Sequence, residues 1–302
     1  MKIVFAGSSD FGLNCLEYLI KEEDVVCVVT NPDKQAGRGK KISSTPVKTL
    51  AVENGIRCYQ PENFNSEATL DLLNEINPDL IVVVSFGHII KPFLLEAFPD
   101  KWINIHSSPL PLYRGPAPIN FAIFNSEKTS GITIIEIAEK LDAGDILVKM
   151  QIPVEQSETF GSLFNKLQIL SVDALKKLLE DIKTGRIQKI RQDDSAASYT
   201  SKITKEFCRI NFNDKAEKII AFIRGLNPVP AAWTIFNDKV LKIFNAGIFE
   251  CAVNNRIIAG QIFTFEKKIL VKCSDAIIEI TDLQFEGKKR MDSKSFINGL
   301  RQ

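Results

Sequence analysis

Three nearly unbroken apolar runs dominate the first part of the chain: KIVFA from residue 2, DVVCVVT from residue 24 and DLIVVVS from residue 79. A strand without polar alternation must be covered on both faces, which is the situation of strands in a parallel sheet packed between helices. Helical patterns fill the intervals, from about Asp10, from about Thr45 and near Glu67, with a short strand near Cys58. This is the βαβ succession of an α/β layer fold. WINIH (Trp102 to His106) reads as a further strand and PAPINFAIFN as a short helix. GITIIEIAEKLDAGDILVKMQIPV reads as two strands joined by a turn at Leu141 to Asp145, and residues 159 to 184 as one amphipathic helix. The expectation is a Rossmann-like, mostly parallel sheet.

From about Gly185 to Ser201 the periodicity gives way to polar, Ser- and Asp-containing sequence, as in a linker. Beyond it a helix at about 214 to 225 precedes short alternating segments (AAWTIFN, KVLKIFNA, RIIAGQIF, KKILVKC, AIIEITDLQF) and a closing helix from Asp292. That pattern predicts a smaller β-barrel, OB-like in strand count. The divisions are a catalytic domain over 1–186, a linker over 187–204 and a barrel over 205–302, and 302 residues suffice for two cores.

The net charge of +1 hides an asymmetry. Residues 203–302 hold 16 Lys+Arg against 11 Asp+Glu, leaving a net −4 for the rest. A basic appendage behind an acidic enzyme-like half points to a nucleic-acid partner, although such a surplus also suits a solvated surface. No run approaches the roughly 18 apolar residues of a membrane-spanning helix, and the first residues read as a strand rather than a targeting peptide. Six cysteines are scattered without paired spacing, as expected of a reducing cytosol. With two histidines, His88 and His106, and no Cys/His cluster, no transition-metal site is expected.

For chemistry, Gly7 in FAGSSDFG sits at a strand-to-helix turn, but only Gly7 and Gly12 are present where a dinucleotide fingerprint needs three glycines. It is read as a turn glycine, and a nicotinamide dehydrogenase loses its main support. Asn104 and His106 are sharper. Two apart on one strand, they project from the same face, near the carboxyl edge where open α/β sheets place active sites. An amide donor beside an imidazole suits an oxyanion. The Leu141 to Asp145 turn supplies a carboxylate for the imidazole, with Asp142 and Asp145 equal candidates on spacing. The proline-rich run Ser107 to Pro118 reads as a rigid wall. The long polar connection Asn31 to Lys48, with Lys34, Arg38, Lys40, Lys41 and Lys48, is either a phosphate-facing or a solvated loop.

The strings VVVSFGHIIKP, NIHSSPLP and LDAGDIL, in that order, resemble the formyltetrahydrofolate-dependent transferases. NPDKQAGRGKK, FAGSSDFG, YTSKITKE, NPVPAAW and EGKKRM are similar to the methionyl-tRNA formyltransferase branch, so the resemblance spans nearly the whole chain. It implies a catalytic set of Asn104, His106 and Asp142, favouring Asp142 over Asp145. The donor it implies is 10-formyltetrahydrofolate, bound by Ser108, Pro109, Leu110 and Pro111 and by the segment Phe86, Gly87, His88, Ile89 and Ile90, with no catalytic role for His88. The family loop is usually Ser-Leu-Leu-Pro, so Pro109 departs from it and removes an amide donor. The implied partner is initiator methionyl-tRNA, met by Arg38, Lys40 and Lys41, by Lys202 at the end of the linker, and by barrel residues Lys205, Lys288, Lys289 and Arg290. A monomeric bacterial cytoplasmic enzyme of translation initiation follows. A sugar-nucleotide N-formyltransferase would share the catalytic set without needing the basic loop or barrel, and a tRNA-binding protein with a vestigial enzymatic half would not need the set at all.

Overall fold

The computed structural model describes residues 1–36, 41–250 and 257–300. In chain order the elements begin with β1 (Lys2–Gly7), α1 (Leu13–Glu22), β2 (Asp24–Val29), β3 (Lys34–Ala36), β4 (Lys41–Ser43), α2 (Pro46–Glu53), β5 (Cys58–Tyr59) and α3 (Glu67–Ile76). There follow β6 (Leu80–Val84), α4 (Pro92–Ala97), β7 (Trp102–His106), α5 (Pro118–Phe124), β8 (Thr129–Glu136), β9 (Ile146–Pro153) and α6 (Phe160–Thr184). The remainder comprises α7 (Ala216–Gly225), β10 (Ala232–Phe236), β11 (Lys239–Phe249), β12 (Ile262–Phe265), β13 (Lys268–Lys272), β14 (Ile277–Phe285), β15 (Met291–Asp292) and α8 (Ser293–Leu300). The chain divides into two compact units, one of residues 1–115, 130–152 and 164–199, the other of 116–129, 153–163 and 200–302.

The first unit is built on a seven-stranded sheet in the order β5-β2-β1-β6-β7-β8-β9. Strands β5 through β7 pair in parallel, and β8 runs antiparallel to β7. Ile3, Val4, Phe5 and Ala6 of β1 are all buried although neighbours point to opposite faces, which confirms the double covering that their unalternating sequence predicts. Val4 and Ala6 join one core with Cys27, Val29, Leu72, Leu73 and Trp102. The chain steps outward from β1 to β2 and β5 and then returns to β1's other side with β6, so the strand order reverses between β1 and β6. In open α/β sheets ligands bind beyond the carboxyl ends of the strands at such a reversal. Gly7 is a packing glycine, since a Cβ there would lie 2.8 Å from the Val84 carbonyl and 2.8 Å from the Phe5 ring.

Local signals explain the helix boundaries. Thr45 caps α2 by accepting the Lys48 amide, with Pro46 in the first turn, and Ser66 caps α3 by accepting the Thr69 amide. Three features were not anticipated: a ribbon in the second connection, helix α4, and the two-residue strand β15 beside β14. The connection after β2 contains the antiparallel ribbon β3–β4, whose three-residue strands are too short to show alternation. Helix α4 has six residues, fewer than two turns, so no apolar stripe can register.

The second unit carries an antiparallel half-barrel sheet in the order β10-β11-β14-β13-β12, with β15 beside β14. Its core gathers Leu241, Ile243, Val271, Ile278 and Ile280 with Ile219 and Ile223 of α7. Register shifts around Asn245 bend β11 against β14, as bulges do where a sheet must curl. The OB-like, β-rich expectation holds. Helices α5 and α7 meet closely, Asn120 donating to the Gly225 carbonyl at 2.7 Å. Among the described residues no helix is long and apolar enough to cross a membrane.

Gly131 in β8 tests the edge of the first sheet, because a Cβ there would fall 2.1 Å from the Met150 carbonyl oxygen. Gly131→Ala is expected to destabilise the protein by at least about 1–3 kcal/mol, the usual cost of overpacking, as measured by thermal unfolding.

Candidate active site

Strand β7 delivers Asn104 and His106 to one face, as alternation requires, while Ile103 and Ile105 are buried on the other. In register with β8, Asn104 stands opposite Ile135 and His106 opposite Thr133. The loop between β8 and β9 turns at Asp142, whose backbone is left-handed (φ 51°), a conformation that Asp tolerates better than most residues. Gly144 permits the close return of this loop, since a Cβ there would sit 1.8 Å from the Glu136 carbonyl oxygen.

The turn brings Asp142 to the strand. Asn104 Nδ2 donates to Asp142 Oδ1 at 3.1 Å, the Gly115 amide donates to Oδ2 at 2.8 Å, and His106 Nδ1 lies 3.6 Å from the same Oδ2. Both acidic and imidazole side chains are nearly enclosed, at 9% and 7% exposure. His106 Nε2 is 2.9 Å from the Tyr113 carbonyl oxygen. A carbonyl only accepts, so Nε2 carries hydrogen and Nδ1 is the nitrogen free to gain or lose a proton towards Asp142. Asn104 has a second amide hydrogen with no acceptor among the described residues. The three residues expected from sequence therefore converge around one carboxylate.

The loop Ser108–Pro111 is tied down from behind. Thr133 Oγ1 donates to the Ser108 carbonyl at 2.7 Å and accepts the Leu110 amide at 3.1 Å, Ser108 Oγ donates to the Leu112 carbonyl at 2.6 Å, and Lys149 Nζ donates to the Leu110 carbonyl at 2.7 Å. Pro109 is buried within it. In the other predicted segment Phe86 and Ile90 are buried while Ile89 is 67% exposed. Gly87 takes a left-handed φ of 82° with open space where a Cβ would be. The backbone N–H groups of Gly87 to Ile90 donate to no described residue, so this stretch presents donors beside an exposed apolar side chain. His88 Nε2 pairs with Asn31 Oδ1 at 2.6 Å, and burial, then the Lys34 charge, pull its pKa below the usual imidazole value. Among the described residues no cluster of His, Cys, Asp or Glu is arranged to hold a metal ion.

The predicted cations fare differently. Arg38 and Lys40 lie outside the described residues, and Lys41 begins β4. Lys202, Lys205, Lys288 and Lys289 are exposed. Arg290 is engaged, with Nε 3.0 Å from the Asp282 carboxylate and its guanidinium 4.0 Å from the centre of the Phe244 ring. Sequence reasoning missed Thr133, Gly115 and Tyr113. Thr133 had a faint signal, as a polar residue within the apolar run GITIIE; the other two act through backbone atoms and left none. Asp142→Ala is expected to accelerate hydrogen exchange at the Gly115 amide severalfold, read by NMR, while amides in β1 and β6 keep their protection.

Comparison with known proteins extends this geometry. The family model described as formyl transferase matches residues 1–179, and that described as formyl transferase, C-terminal domain, matches 202–301. A methionyl-tRNA formyltransferase of Clostridium acetobutylicum is 41% identical over 301 residues, covering 99% of this chain and 96% of the relative. One from Ruminiclostridium cellulolyticum is 38% identical over the same coverage. Among solved structures, an N-formyltransferase from Helicobacter canadensis in complex with folinic acid and dTDP-3-aminofucose shares the fold, with a TM-score of 0.67 at 23% identity over 93% of this chain and 98% of that one.

Proposed function

The chain belongs to the formyl transferase family, in its methionyl-tRNA formyltransferase branch, and from that premise we propose that Asn104, His106 and Asp142 carry its reaction. The reaction is transfer of a formyl group from 10-formyltetrahydrofolate to the α-amine of methionine on initiator tRNA. The observation that carries the assignment is the convergence of Asn104, Gly115 and His106 on the carboxylate of Asp142. Full-length identity near 40% to methionyl-tRNA enzymes, against 23% to the sugar-directed structure, favours tRNA as the acceptor.

When bound, the formyl donor supplies the electrophilic carbon that the methionyl amine attacks. Asn104 spends one N–H on Asp142 and directs the other at the formyl oxygen as it gains charge, a contribution of about 2.7–4 kcal/mol for such a donor. The Tyr113 carbonyl fixes the tautomer of His106. The 3.6 Å between His106 Nδ1 and Asp142 Oδ2 is too long for a direct bond, but a water about 2.8 Å from each would bond both. Through that water Asp142 takes the proton released by the attacking amine and returns it to the departing folate nitrogen. No covalent bond to the protein is needed.

We assign the loop Ser108–Pro111 and the segment Phe86–Ile90 to folate binding; the N–H groups of Gly87 to Ile90, which donate to no described residue, and the exposed Ile89 support this reading. Residues 1–186 are assigned to catalysis, 187–204 to the linker and 205–302 to tRNA binding, in keeping with the limits of the two family models. Arg38, Lys40 and Lys41 are assigned to the acceptor end of the tRNA. Lys202, Lys205, Lys288 and Lys289 are assigned to its phosphates, with a smaller share for Arg290 because Asp282 already pairs with it. The enzyme is read as a cytoplasmic monomer.

Formylation of charged initiator and elongator tRNA tests the assignment. The natural protein should strongly prefer the initiator, and His106→Ala or Asp142→Ala should abolish turnover while tRNA affinity stays within about threefold, since these side chains act in the transition state. Full activity in either variant would overturn the assignment. Replacing Lys202 and Lys205 by Ala together should flatten the dependence of log affinity on log salt by about 1–2 in total, about 0.7–0.9 for each of the two lost phosphate contacts.

A further inference from the structure

Asp142 depends on a loop that is otherwise open to solvent: Glu139, Lys140 and Leu141 before it are exposed. One buried side chain grips that loop. Gln192, 7% exposed, donates through Nε2 to the carbonyl of Asp142 at 2.9 Å and to that of Gly144 at 2.8 Å. Both amide hydrogens are thus spent on carbonyls two residues apart, which spans the turn.

Gln192 is itself oriented. Its Oε1 accepts Nε of Arg114 at 3.1 Å and Nη2 at 2.9 Å, so the amide cannot flip without setting its oxygen against two carbonyls and its NH2 against a guanidinium. Arg114 is 1% exposed and is the largest fully buried side chain among the described residues. Its carboxylate partner Asp194 is 62% exposed. An ion pair to a surface carboxylate gives no reason to bury a guanidinium, which is costly to desolvate; reaching Gln192 does. The polar stretch around Gln192 is also stitched to the same unit. Ile190 exchanges two backbone bonds with Ile146 at 2.8 and 2.9 Å, and Ser198 accepts the amides of Tyr113 at 2.9 Å and Arg114 at 2.8 Å.

We propose that Gln192, aimed by the buried Arg114, is a positioning residue that holds the Asp142 turn so that its carboxylate meets Asn104 and His106. The inference rests on the catalytic assignment of Asp142 made above. It gives the linker-like segment 190–199 a second task, that of a strap across the catalytic turn.

The test is formylation kinetics on the full chain with Gln192→Ala, Gln192→Glu, Asp142→Asn and the double variant Gln192→Ala/Asp142→Asn. Gln192→Ala should lower kcat about a hundredfold, the scale of a misplacement near 1 Å, with KM for both substrates within about threefold. Gln192→Glu keeps a partner for Arg114 but donates to the turn only when protonated. Its kcat should therefore fall as pH rises through the glutamate titration, relative to the natural protein, and this readout stands even if Gln192→Ala folds poorly. In the Asp142→Asn background, Gln192→Ala should cost less than threefold more, because two residues acting through one group are not additive. An unchanged kcat in both Gln192 variants, or full additivity in the double variant, would overturn the proposal. Full activity of Asp142→Asn would instead overturn the catalytic assignment on which it rests.

Discussion

The carboxylate of Asp142 is the point at which the candidate site of the first unit is tied together. It accepts a side-chain amide from Asn104 and a backbone amide from Gly115, and it lies beside the one ring nitrogen of His106 that is free to exchange a proton. A nearly enclosed carboxylate needs such donors to avoid an uncompensated charge. The same bonds that make its burial tolerable also orient the amide and the imidazole towards a common centre, so stability and preorganisation are served by one set of contacts.

That arrangement requires three distant segments to arrive together. Strand β7 fixes Asn104 and His106 because its parallel pairing to β6 and antiparallel pairing to β8 leave it no freedom of register. The loop after β8 is admitted close to the sheet by Gly144, where any side chain would strike the Glu136 carbonyl. Residues 111–115 return Tyr113 and Gly115 to the site through the bonds that Ser198 makes to Tyr113 and Arg114. The proposed catalytic residues are thus held in place from several sides, while in the proposed folate segment the N–H groups of Gly87 to Ile90 donate to no described residue.

Several of these features were readable from the residues. The unalternating runs around Val4, Val28 and Val82 called for a doubly covered parallel sheet, and the Asn104/His106 spacing called for a shared face. Asp142 and Asp145 were indistinguishable by spacing, and only the family resemblance separated them before the structure did. The ribbon β3–β4 and helix α4 escaped because elements of three and six residues contain no full period. Thr133 hid inside an apolar run, and Arg114 and Gln192 looked like ordinary polar residues of a proline-rich wall and a linker.

What the sequence determined alone is what local pattern can encode: which segments are strands or helices, which faces are apolar, and which residue types stand at the sheet's carboxyl edge. Those properties depend on neighbours a few residues away. Tertiary structure alone decided that the Gly115 amide completes the shell of the Asp142 carboxylate, that Tyr113 holds His106 Nε2, and that Gln192 reaches the turn from 50 residues away. Each of these is a hydrogen bond between segments remote in the chain, and such a bond leaves no periodic trace in the residues that make it.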